Sequence, residues 1–184
     1  MGRGGHFDSP DGVEPIEWTL FTQEPIDTAE QALRVLDYYR MRWLIEEFFR
    51  ALKVGCEIEK RQNESYDALL NVLAIFLPIA WKLLLLRTLA RTEPDAPATE
   101  VLTQSQVDVL RSVARRPLDD RPTVAAALYA VAGLGGHIKN NGNPGWQVIG
   151  RGLEKLLTLE IGWMAALRAQ RREIKTPSAD GREK

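Results

Sequence analysis

The chain has 184 residues, 45% hydrophobic and 27% charged, which supplies one sizeable core or a large domain with a helical appendage and excludes disorder throughout. Twenty-four basic against 25 acidic residues leave a formal charge of -1, so any contact with DNA has to come from a local basic face. A single cysteine, Cys56, excludes an internal disulfide and fits a reducing compartment.

Residues 1–15 are polar and glycine-rich, the composition of a loop, and lack the apolar run of a secretory signal. Ile16 to Thr22 is rich in strand formers and predicts the one strand of the chain, whose sheet partners must come from elsewhere. Asp27 to Gly55 predicts a long helix, with Asp27 and Glu30 spaced as the N-cap and N3 of a capping box and Gly55 as its C′ residue. A polar linker, 56–62, leads to a second helix from Asn63 or Ser65 to Arg91. Between Ala68 and Leu86 its only charge is Lys82, but Asn71, Pro78 and Lys82 argue for a buried core helix over a membrane span. Pro78 is expected to kink it or to free a carbonyl near residue 74.

Thr92 to Thr99 contains two prolines and is the expected domain boundary. Short helices are then predicted over Leu102–Arg115 and Thr123–Leu134, separated by a loop at 116–122. His137 to Gly145 is turn-rich. Trp146 to Arg172 is the last long helix, with Trp146, Ile149, Leu153, Leu156, Leu159 or Glu160, Trp163 and Leu167 recurring at three to four residues. Residues 173–184 read as a disordered tail.

The first long helix carries the chemistry. At about 100° per residue Tyr39, Arg42, Glu46 and Lys53 fall within an arc of about 60°, a stripe about 21 Å long. Met41, Leu44, Ile45, Phe48 and Leu52 fall opposite, giving an apolar face to bury. A carboxylate among cations suits a phosphate chain better than a small-molecule pocket. On the pattern alone, a glutamate so placed is more often an ordinary surface ion-pair partner than a metal ligand.

Tyr39, two residues, Arg42, three residues, Glu46, six residues, Lys53 resembles the Y-R-E-K signature of bacterial cut-and-paste DNA transposases of the insertion-sequence-four group. Ala32-Leu33-Arg34-Val35, Arg42-Trp43 and Ile45-Glu46-Glu47-Phe48 agree with it, and the similarity extends from about Pro15 to about Leu167. The resemblance implies a mainly α chain: residues 16–92 as the C-terminal part of an RNase-H-like catalytic core, one strand plus long helices, and residues 100–172 as a helical dimerisation region. It implies Glu46 as catalytic metal ligand, and Tyr39, Arg42, Lys53, Trp18 and Trp43 as DNA contacts, with Trp18 stacking on a flipped base; Arg50, one turn before Lys53, reads either as an extension of that basic track or as part of a solvated face. In that family Mg²⁺ or Mn²⁺ is held with two aspartates encoded upstream, which this chain lacks, so the chain is expected to be inactive alone. The implied partners are transposon-end DNA and a second copy bound through the C-terminal helices, in the bacterial cytoplasm beside the nucleoid, with no membrane. A non-catalytic chain that dimerises with and inhibits the full-length enzyme, or a helical interaction module, are the alternatives.

Overall fold

A computed structural model describes residues 19–138 and 142–175, and the chain is mainly helical. Among the described residues there are five α-helices, α1 (Ala29–Arg50), α2 (Tyr66–Thr92), α3 (Gln104–Val113), α4 (Val124–Leu134) and α5 (Trp146–Lys175). A π-helical turn, Ala51–Gly55, follows α1, and single 3-10 turns occupy Ile58–Lys60 and Ala98–Glu100. Two compact units, Met1–Glu46 and Glu47–Lys184, are described separately below.

In the first unit the described part of the expected strand, Thr19 to Thr22, is not in a strand and has no ladder partner, and residues 16–18 lie outside the described residues. A strand takes its hydrogen bonds from a neighbour, and no described segment offers an edge. The N-terminus of α1 is capped one residue later than Asp27 and Glu30 suggested. The Thr28 hydroxyl accepts from the Gln31 amide at 3.2 Å, and the Gln31 side chain accepts from the Thr28 and Asp27 amides at 3.1 and 2.8 Å. Thr-Ala-Glu-Gln also fits the capping-box pattern, and its reciprocal glutamine satisfies two amides at once.

No residue of α1 is buried. Met41, Leu44 and Ile45 are exposed, so the apolar face expected to be covered is open at these three positions. Spaced ion pairs support the helix instead: Glu30–Arg34 at 3.6 Å, Asp37–Arg40 at 3.2 Å and Arg42–Glu46 at 2.8 Å, each contributing about 0.3 to 0.5 kcal/mol.

The second unit holds the hydrophobic core, built from the π-turn, the C-terminal half of α2, and α3, α4 and the first three turns of α5. Leu52 is buried there and Phe48 packs against it. Ser65 caps α2, its hydroxyl accepting from the Ala68 amide at 3.2 Å, and the helix continues through Pro78 to Thr92. By length and composition α2 could cross a membrane; Ala80, Leu83, Leu84 and Leu86 are nevertheless buried in the core, while Tyr66, Leu69, Leu70, Ile75, Leu77 and Trp81 stay exposed.

The proline-bearing segment after α2 is tied down rather than open. The Ala98 amide donates to the Pro122 carbonyl at 2.9 Å, and the Val124 amide to Ala96 at 2.7 Å. Ala98 itself is buried. Thr103 with Gln106, and Thr123, cap α3 and α4.

Gly55 is not the left-handed cap expected of it, since the backbone there stays at negative φ. Its role is contact. A Cβ on Gly150 would lie 1.9 Å from the Gly55 carbonyl oxygen, and one on Gly152 would lie 1.8 Å from the Val131 oxygen. The helix α5 therefore sits backbone to backbone on the π-turn and on α4. The left-handed residue is Glu57, at φ 50°, whose carboxylate accepts from Gln147 of α5 at 3.0 Å and pairs with Lys60 at 2.9 Å and Arg151 at 3.7 Å. Cys56 is buried beside it, and burial pushes its thiol up to about 11.

One polar cluster joins three helices. Glu160 of α5 accepts from Gln106 at 2.8 Å, from Thr103 at 3.1 Å and from Ser105, at the N-terminus of α3, while Lys82 of α2 donates to Gln106 at 3.1 Å. Burial alone would raise the Glu160 carboxyl; the bonds from Ser105, Gln106 and Thr103 and the charge of Lys82 outweigh it and hold the group below its ordinary 4.5.

Two outcomes follow for urea unfolding. Gly150→Ala loses about 3 kcal/mol by overpacking, whereas Gly162→Ala, with open space at its Cβ, gains about 0.5 to 1 kcal/mol. Because the folded Glu160 value is depressed, its contribution is complete above the unfolded value and is lost as pH falls through the lower folded one. Glu160→Gln should thus flatten the decline in stability below about pH 4.5.

Candidate nucleic-acid interface

Helical spacing brings Tyr39, Arg42 and Glu46 onto one exposed face of α1, within the first unit. The Arg42 guanidinium donates from Nη1 to Glu46 Oε1 at 2.8 Å, and its Cζ stands 5.6 Å from the centre of the Tyr39 ring. Side-chain exposure is 54% for Arg42 and 43% for Glu46, so both ends of the pair meet solvent. Trp43, next along the helix, is exposed as well. Trp18 lies outside the described residues.

In the second unit, Arg50 donates to Glu47 at 3.1 Å. Glu47 is the more enclosed partner, with 15% side-chain exposure against 55% for Arg50. Lys53 sits in the π-turn and pairs with Glu59 at 2.9 Å, both side chains exposed. A π-turn takes more residues per revolution than an α-helix, so the count of 100° per residue holds through Arg50 and not across Ala51–Gly55. Of the cations after it, Lys60 is paired with Glu57 and Arg61 stacks on Phe76 at 4.1 Å.

These pairs define what the surface can do. An exposed ion pair is worth at most about 1 kcal/mol, so exchanging the Glu46 carboxylate for a phosphate oxygen costs Arg42 little. The guanidinium fork suits a phosphate, and Tyr39 flanks it. Release of Arg42 leaves the Glu46 carboxylate with two oxygens for a hard cation. Among the described residues, however, no three His, Cys, Asp or Glu side chains gather as a metal-holding group. One carboxylate does not by itself fit a pair of divalent ions.

Spacing also passed over a second basic feature. Arg87 and Arg91 stand one turn apart on α2, and the Arg87 guanidinium lies over the Trp146 ring at 4.3 Å. The signal was present as two like charges at i,i+4 ending an otherwise apolar run, with an aromatic opening the last helix. Comparison with protein-family models finds none that matches this chain.

If the Arg42–Glu46 pair is a surface contact of this kind, Arg42→Ala and Glu46→Gln each change unfolding free energy by no more than about 0.5 kcal/mol in denaturant titration. A loss of several kcal/mol would mark the pair as structural.

Proposed function

We propose that the chain is the C-terminal portion of a DDE-type DNA transposase, contributing Glu46, a set of transposon-end contacts and a dimer interface to an enzyme that cuts and rejoins DNA. The resemblance rests on the spacing of Tyr39, Arg42, Glu46 and Lys53 and on the residues between them. The observation that carries it is the placement of Arg42 between the Tyr39 ring and the Glu46 carboxylate on an open helix face. A cation that can change partner, a carboxylate that is then released and an aromatic hydroxyl form a set suited to a DNA strand.

On this reading, Arg42, Arg50 and Lys53 neutralise phosphate oxygens, Tyr39 donates its hydroxyl to the same backbone, and Trp43 and Trp18 stack on or pack beside bases. Mg²⁺ or Mn²⁺ belongs to the complete enzyme, where Glu46 would join aspartates from preceding strands. The exposed Met41, Leu44 and Ile45 face is where the rest of an RNase-H-like core would pack.

A second reading has one observation in its favour. Beyond the core, α5 continues with Leu159, Ile161, Trp163 and Met164 exposed, an apolar surface that a second copy or a full-length relative could cover. The chain would then be a non-catalytic partner that poisons the intact enzyme.

Glu46→Gln, introduced into an enzyme completed with its upstream aspartate-bearing strands, should lower excision of a donor element by at least about a hundredfold with folding unchanged. Wild-type excision by that variant would refute the assignment. Co-expression of the present chain with the completed enzyme separates the second reading: it requires co-purification and a reduced transposition frequency.

A further inference from the structure

At its C-terminal end α2 meets the first turns of α4 and the segment before α5. There Arg87, Arg91, Ala125, Leu128, Tyr129 and Asn143 line a cleft of about 150 Å³. The Arg87 guanidinium is laid against the Trp146 indole, which fixes its plane and leaves its N–H edges to bind. Among the described residues its buried Nη1 has no acceptor, and neither has the buried Nε1 of Trp146. Such groups ordinarily find one.

Among the described residues neither Arg87 nor Arg91 has a carboxylate within ion-pair distance. The nearest influential acid, Glu47, is held by Arg50 and acts on Arg87 only at longer range. Burial, then Arg91, and last Arg50 lower the Arg87 value, and Glu47 opposes them in part. The amides at the start of α4 are already committed, Val124 to Ala96 at 2.7 Å, Ala125 to Pro94 at 3.2 Å and Ala126 to the Thr123 hydroxyl at 3.2 Å. What remains for a ligand is two guanidinium forks and the Asn143 amide, whose oxygen accepts from the Tyr129 hydroxyl at 3.1 Å, leaving its NH₂ to donate. Two positive forks suit a doubly charged tetrahedral oxyanion better than a carboxylate. The cleft is small but has room for a phosphate group beside these donors.

We propose that this cleft binds a phosphate group, with Arg87 as the pre-set donor and Arg91 closing from the rim. The site is independent of the transposase reading, since it uses neither Glu46 nor its neighbours. The phosphate can belong to inorganic phosphate or to a nucleic-acid backbone.

The test is an NMR titration of the intact chain with inorganic phosphate at constant ionic strength, following the Arg Nε–H and Trp Nε1–H signals, with chloride as control. Saturable shifts at Arg87 and Trp146 are expected. Arg91→Ala, an exposed change that leaves the core intact, should weaken binding about tenfold, the loss of one charge-assisted bond. Arg87→Lys keeps the charge, removes the fork and should weaken it likewise, while Glu46→Gln should leave it unchanged. Competition by a short DNA duplex, itself weakened by Arg91→Ala, assigns the phosphate to a nucleic-acid backbone; phosphate binding without such competition assigns it to the free ion. Shifts no larger than with chloride, or full affinity in Arg91→Ala, overturn the site.

Discussion

Everything in the second unit depends on how closely the backbone of α5 approaches its neighbours. Gly150 lies against the Gly55 carbonyl and Gly152 against that of Val131, while Gly135 faces Val148 so tightly that a Cβ would meet its carbonyl oxygen at 1.9 Å. Small residues at such crossings let peptide groups touch, and the surrounding side chains then interlock at the density of a solid. Ile149, Leu153 and Leu156 on the same helix are fully buried as a result. The same approach sets the Arg87 guanidinium against Trp146 and brings Glu57 within reach of Gln147, so the electrostatics of this unit inherit their geometry from missing side chains.

The helix α1 is organised by the opposite rule. Nothing on it is buried, and its charges are satisfied along its own surface at three- and four-residue spacing. A surface of that kind is electrically balanced yet weakly held, since each pair is hydrated and screened by salt. It can exchange an internal partner for an external one without unfolding. The cluster around Glu160 differs: three neutral donors fasten the carboxylate, and Lys82, bonded to Gln106, acts on it by charge.

Much of the helical plan could be read from periodicity and caps. Ser65, Thr103 and Thr123 mark helix starts because a hydroxyl oxygen can satisfy an otherwise orphaned amide, and the sequence shows each just ahead of an apolar repeat. Two local rules were underdetermined. Asp27 and Thr28 both offer a capping oxygen, and only the choice between Glu30 and Gln31 as the reciprocal partner separates them. Gly55 satisfies both a turn and a close crossing in sequence, whereas the structure uses it for the crossing, a tertiary fact decided by Gly150 almost a hundred residues away. The strand from Ile16 was drawn from propensity, which cannot supply the neighbour a strand requires. At the candidate interface the spacing of Tyr39, Arg42 and Glu46 was legible because α-helical phase holds there. Lys53 was not placed equally well, because no composition rule announces a π-turn.

The helix α2 is gripped unevenly, and this divides its dynamics. Its last turns are locked among Leu83, Leu84 and Leu86, but the half ahead of Pro78 contributes no buried residue, and the proline lacks the N–H that would bond back one turn. Amide protons before residue 78 should therefore exchange through local fraying while those after it wait for global opening. The proline becomes a seam between a rigid anchor and an arm that can melt and re-form as its surroundings change.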